Sequence, residues 1–192
     1  MKDAHPDPRQ QAILSSAWQA FATYGFRKTS MDDIARGAGM SRPAVYLHYR
    51  NKEAIFRSLV EHFYQEKTEA VAECLNGPGT IPEVLGRAMA AQSDGIAALL
   101  ASPHGLELLD AGSSTAPDIV AAGEAGLRDL YAGWLDREAG KGRVRFSGPS
   151  QAIAGMITAA LKGIKITAQD IETYTERVSA FAILIGAGLE VR

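Results

Sequence analysis

The side chains best suited to act on another molecule fall in one short run, Thr29 to Lys52. It holds three hydroxyls (Thr29, Ser30, Ser41), a guanidinium (Arg42), a phenol (Tyr46), an imidazole (His48) and an ammonium (Lys52), with Pro43 and Ala44 between them. These groups carry no nucleophile–base pair, phosphate loop or metal-ligand spacing, and Asp32-Asp33 reads as charge at a helix N-terminus rather than a catalytic pair. The chemistry they offer is non-covalent. Arginine can engage guanine O6 and N7 through two parallel N–H bonds, and an alanine methyl can touch the methyl of thymine. Hydroxyls, phenols and ammonium groups suit phosphate oxygens, which fix position without reading sequence.

The surrounding pattern predicts the elements that must present these groups. Ser30-x-x-Asp33 approximates a capping box, opening a helix whose buried side is Ile34 and Ala35. Thr29 and Ser30, at that helix start, are expected to meet a phosphate. Ala38-Gly39 forms a turn, Ser41 caps the next helix with Pro43 near its start, and Val45 faces inward. Asn51 then caps a long helix with Lys52 and Glu53 in its first turn. Two short helices joined this way make a helix-turn-helix, which lays its second helix in the DNA major groove. Ahead of it, Asp7-Pro8 starts a helix with a buried stripe of Ile13, Ala17, Phe21 and Tyr24, ending at Gly25.

With its G-F-x-x-T-S-M-x-D-I-A, A-G-M-S-R-P-A-V-Y-x-H-Y and N-K-E-A-I-F pieces, the stretch from Phe21 to Phe56 resembles the N-terminal domain of the TetR family of transcriptional regulators. The resemblance implies a homodimeric repressor whose two heads read a palindromic operator in double-stranded DNA, released by a small molecule in the body. It also implies roles by position: Ala44 at a base, Tyr46 and Lys52 at phosphates, and His48 at a phosphate or base. Met31 stands where some members carry a base-reading arginine, which leaves specificity to the second helix of the motif.

Behind the head (1–51), residues 52–192 read as a helical effector-binding and dimerisation domain. The first body helix runs to about Asn76, and N-G-P-G-T (76–80) breaks it. Further helices are expected over Pro82–Ala101, from Ser102-Pro103 through Leu109, around Leu127 to Trp134, over Ser150–Ile166 and over Ala168–Leu189. Loops are expected at 112–117 and 140–149. The fold class is all-α, with about nine helices. Gly155, Ala159 and Gly163, spaced by four, and Val178, Phe181 and Ile185 form two apolar faces. The resemblance implies that these helices make the dimer interface. Phe63, Met89, Leu99, His104, Tyr131 and Trp134 are a candidate lining for a small, largely apolar ligand, plain core being the alternative for each. Glycines 86, 95, 123, 126 and 133, expected inside helices, would make such a pocket deformable.

Composition limits the other possibilities. Of the 192 residues 46% are hydrophobic and 22% charged, as in ordinary globular chains. The net charge of −2 is uneven: residues 1–60 hold nine Lys/Arg against five Asp/Glu (+4), and the rest eleven against seventeen (−6). A basic head on an acidic body suits phosphate binding at one end. Cys74 is the lone cysteine, which excludes an intrachain disulfide. No signal peptide or membrane span is read, so a cytoplasmic protein without cofactor, metal or enzymatic activity is expected. Two rival readings remain: a DNA-binding regulator controlled by a protein partner or acting as an activator, and a helical enzyme.

Overall fold

A computed structural model describes residues 7–95, 99, 102–168 and 170–191. Among them are nine helices: α1 (Pro8–Tyr24), α2 (Met31–Gly37), α3 (Arg42–Tyr46), α4 (Lys52–Asn76), α5 (Ile81–Ser93), α6 (Gly105–Thr115), α7 (Pro117–Gly140), α8 (Ser150–Thr167) and α9 (Ile171–Leu189). The fold is all-α; the one β-type pairing among the described residues is an isolated bridge between Val144 and Glu190.

Packing divides the chain into two compact units, residues 1–63 with 98–120, and residues 64–97 with 121–192. The division falls within α4, between Phe63 and Tyr64, and groups α6 with the head. It is drawn differently from the functional division at 51/52, which remains a proposal about roles.

In the first unit, Asp7 caps α1 by accepting from the Arg9 N–H, and α1 buries Ile13, Leu14, Ala17 and Phe21. Met31, Ile34 and Ala35 of α2, Val45 of α3, and Ile55 and Phe56 of α4 close on that stripe, with Leu108 and Ala111 of α6. Phe21, Phe26 and Phe56 meet pairwise at 4.8–5.6 Å between ring centres, tilted or edge-on as aromatic quadrupoles favour. α1 and α2 approach closely where the Ser16 hydroxyl donates to the Ile34 carbonyl (2.8 Å) and a side chain at Gly37 would strike Ser16 Oγ.

The second unit is built on α5 and α9. Thr80 and Glu83 form a reciprocal capping box that opens α5, which buries Ile81, Val84, Leu85, Ala88 and Met89. From α9, Tyr174, Val178, Ala182 and Gly186 repeat every four residues along the buried side. Contact is closest at Gly186, where a Cβ would lie 2.6 Å from Pro82 Cα. α7 buries Leu127, Tyr131, Trp134 and Leu135, and its buried Glu138 is paired with Lys141 and Arg143, each at 2.8 Å. Pairing and hydrogen bonding are what make that buried carboxylate tolerable.

Three element boundaries differ from the sequence reading. α5 ends at Ser93, with Asp94 as its cap and Gly95 at φ +75°, so Gly95 is a turn residue and not a helix-interior one; much of the stretch to Ala101 lies outside the described residues. α6 runs through Gly112-Ser113-Ser114-Thr115, expected as loop, because its buried side extends to Ala111 and Gly112, while the two serine hydroxyls bond back to carbonyls of the preceding turn. α9 starts at Ile171, where Asp170 accepts from the Thr173 N–H, and not at Ala168.

Candidate nucleic-acid interface

The hairpin forms as its punctuation predicts. Ser30 accepts from the Asp33 N–H (3.2 Å), while the Asp33 carboxylate receives the Ser30 N–H (3.0 Å) and hydroxyl (2.6 Å). Those Ser30 hydrogen bonds, side chain first, hold the Asp33 carboxyl below its ordinary range. Gly39 turns the chain at φ +66°, a conformation costly for residues with a Cβ, and Met40 N–H closes the turn on the Ala35 carbonyl (2.9 Å). Ser41 then caps α3 by accepting from the Ala44 N–H. Val45 is fully buried, which fixes the face that α3 turns outward: Ser41, Arg42, Pro43, Tyr46 and Leu47 are exposed, and Ala44 is half-buried.

Arg42 is held in place on that face. Its Nη1 lies 3.1 Å from Asp32 Oδ2 and its Nη2 donates to the Tyr46 hydroxyl at 3.3 Å. The guanidinium carbon sits 5.5 Å from the Tyr46 ring centre, within cation–π range. The Tyr46 hydrogen bond, followed by the Asp32 charge, raises the guanidinium's proton affinity above its ordinary value. Two engaged N–H groups leave three of the fork's five free for another acceptor.

Four expected contacts take another form. Thr29 is 2% exposed, and its hydroxyl donates inward to the carbonyls of Gly25 (2.7 Å) and Ala20 (3.2 Å), so it is not presented to a phosphate. Lys52 Nζ donates to the carbonyls of Phe26 (2.7 Å), Arg27 (3.0 Å) and Thr29 (3.0 Å) and lies 4.9 Å from the Phe26 ring centre. An ammonium has three N–H donors, so this lysine clamps the α1–α2 turn and has none over for phosphate. His48 is largely covered, with Nδ1 3.6 Å from the Asp7 carboxylate. The Ser30 hydroxyl is exposed, yet its single proton goes to Asp33. Met31 packs in the head core.

Sequence reasoning passed over two cations and one apolar group here. Lys28 and Arg50 are exposed and form no ion pair among the described residues. Leu47, directly after α3, is 85% exposed, which is unusual for leucine. Positive charge in the head was the available signal for the first two; nothing in the local pattern marks Leu47 as outward.

The expected ligand lining is divided. Phe63, Leu99 and His104 belong to the first unit, and Met89, Tyr131 and Trp134 to the second, so neither unit gathers all six. Leu99 is part of the head core, and His104 pairs with Glu107 at 3.2 Å. Met89, Tyr131 and Trp134 are fully buried, and the Tyr131 hydroxyl has no hydrogen-bond partner among the described residues. Of the expected interface residues, Ala159 and Gly163 are exposed and Gly155, Phe181 and Ile185 half-buried, but Val178 faces its own unit's core at 5% exposure.

Residues 13–59 match the family model described as bacterial regulatory proteins, tetR family. Residues 13–59 are thus those of a tetR-family N-terminal domain. The match takes in α1–α3 and the start of α4, the same residues that build the TetR-family hairpin just described. Relatives include the HTH-type transcriptional regulator EthR of Mycolicibacterium smegmatis, 44% identical over 55 residues, which are 29% of this chain and 25% of EthR. The HTH-type transcriptional repressor Rv1474c of Mycobacterium tuberculosis is 33% identical over 81 residues, 42% of this chain and 41% of that protein. The matched segments thus span well under half of these relatives. Across nearly the whole chain the fold is similar to a TetR-family regulator from Mesorhizobium loti (TM-score 0.74, 19% identity, 95% of this chain and 97% of that one). It is also similar to SmeT, the repressor of the Stenotrophomonas maltophilia efflux pump SmeDEF (TM-score 0.71, 19% identity, 99% and 93% covered). These relatives are named as regulators, not enzymes. No helix of the described residues is long and apolar enough to cross a membrane.

Proposed function

We propose that this chain is a cytoplasmic, homodimeric transcriptional repressor of the TetR family that reads a palindromic operator through α3 and is released by a small, largely apolar ligand. The observation that carries the DNA-reading part is the exposed Arg42, steadied on a short helix whose opposite side is pinned by Val45. Arg42 and Ala44 are assigned to bases, with Pro43 beside them. Tyr46, Ser41, Lys28 and Arg50 are assigned to phosphates. Thr29, Lys52 and His48 shape the head that presents these groups. Selection of duplexes from a randomised pool tests the assignment: a recovered palindrome supports it, and recovery of no common motif contradicts it.

Support for pairing comes from α8 and α9, which leave Met156, Ala159, Gly163, Ile183 and Leu184 exposed on one unit. A side chain at Gly163 would meet nothing within 4 Å, so that glycine answers no packing need within its own protomer. Support for an effector comes from the buried Met89, Tyr131 and Trp134 of the second unit and from Tyr131's unpartnered hydroxyl, apolar groups with one polar handle among them. A solved complex of SmeT with triclosan has a similar fold (TM-score 0.73). Ligand binding in the body would favour a head spacing that no longer fits successive major grooves, a population shift. Thermal-shift screening with small apolar compounds, followed by DNA release with any hit, tests this arm.

A further inference from the structure

We propose that Asp32 is a positioning residue that makes Arg42 read a base and not a phosphate. The inference rests on the DNA-reading role proposed for α3. Asp32 lies in the first turn of α2, yet its carboxylate reaches across the hairpin to Arg42 Nη1 at 3.1 Å. Both side chains are about half exposed, at 54% and 55%. An exposed pair of this kind adds little to folding. Its consequence falls on what approaches the surface.

An arginine beside DNA meets phosphate oxygens as readily as base edges, and phosphate contact carries no sequence information. Asp32 acts against that capture in two ways. Its charge cancels that of Arg42 at long range, which weakens the pull toward the phosphate backbone. Together with Tyr46, which takes the other terminal nitrogen, it also fixes the plane of the fork. The remaining N–H groups then lie in a fixed plane, which bidentate recognition of O6 and N7 requires. Arg36, four residues along α2, is paired with Asp33 instead, so the Asp32 carboxylate has Arg42 as its partner.

The test uses the full chain, a duplex recovered by the wild type from a randomised pool, and a scrambled duplex of equal length. Asp32→Asn is expected to leave the thermal midpoint unchanged and to tighten binding to the scrambled duplex. The ratio of recovered to scrambled affinity should fall about tenfold, the scale of one bidentate base contact. The salt dependence should steepen by about one phosphate contact as Arg42 is freed. All these differences should vanish in an Arg42→Ala background. An unchanged ratio and slope for Asp32→Asn, or effects that persist without Arg42, would overturn the inference while leaving DNA reading intact. Recovery of no duplex by the wild type would overturn both.

Discussion

Lys52 and Thr29 show how far a polar residue's type determines its job. Both stand beside a helix start, where hydroxyl and ammonium groups suit phosphate, and both turn inward to carbonyls. The partners of Lys52 lie 23 to 26 residues away, across the α1–α2 turn. No local pattern reports that fold-back, whereas the caps at Ser30, Ser41 and Asp7 were legible because their partners sit within three residues. Lys52→Ala is therefore expected to destabilise the protein by about 1 to 3 kcal/mol in denaturant unfolding, the scale of charged hydrogen bonds lost from partly buried carbonyls. It should leave the salt slope of DNA binding unchanged. A reduced slope with unchanged stability would return Lys52 to the phosphate backbone. Tyr131→Phe removes a buried hydroxyl that has no partner. The variant should be as stable as the wild type or slightly more so, and should lose response to any effector found by thermal shift; a marked loss of stability would mean the hydroxyl is already satisfied.

At the scale of elements, periodicity located the helices, and caps and burial set several of their ends. The G-S-S-T of α6 has poor intrinsic helix preference, but Ala111 and Gly112 are buried and the serine hydroxyls bond within the helix. Just beyond it, Asp118 receives both terminal nitrogens of Arg57 at 2.6 and 2.7 Å, tying the start of α7 to α4 within the first unit. The Arg57 hydrogen bonds hold the Asp118 carboxyl down at about 2. A carboxyl depressed in the folded state stabilises at pH above its ordinary value near 4 and loses that contribution as pH falls toward about 2. Asp118→Asn should flatten that part of the acid unfolding profile, read by circular dichroism; an unaltered profile would show that the pair contributes nothing to stability. In the second unit, Gly186→Ala would push a methyl onto the Pro82 backbone and should cost about 1 to 3 kcal/mol. A neutral result there would mean that α5 and α9 can separate without loss.

For the whole molecule, the head was legible and the body only in outline. The head's signals are caps, a turn glycine and a buried valine in fixed order. The C-terminal half of the body's final helix runs F-A-I-L-I-G-A-G-L, apolar on every side. Such a sequence does not reveal which face meets its own core: Val178 is buried against its own unit, and Ile183 and Leu184 are the exposed residues. If the exposed α8–α9 face is the dimer contact, Leu184→Glu should yield a folded monomer in sedimentation and weaken operator binding sharply, because two heads no longer bind together. A persistent dimer would move the interface elsewhere.

The most direct test of the central claim is the base preference of Arg42→Ala, measured by repeating selection from a randomised duplex pool with wild type and variant side by side. Reading by Arg42 predicts that the variant still binds DNA but loses the preference for guanine at one position of each half-site, the rest of the motif being kept. Recovery of the same motif with the same preference at every position would contradict it.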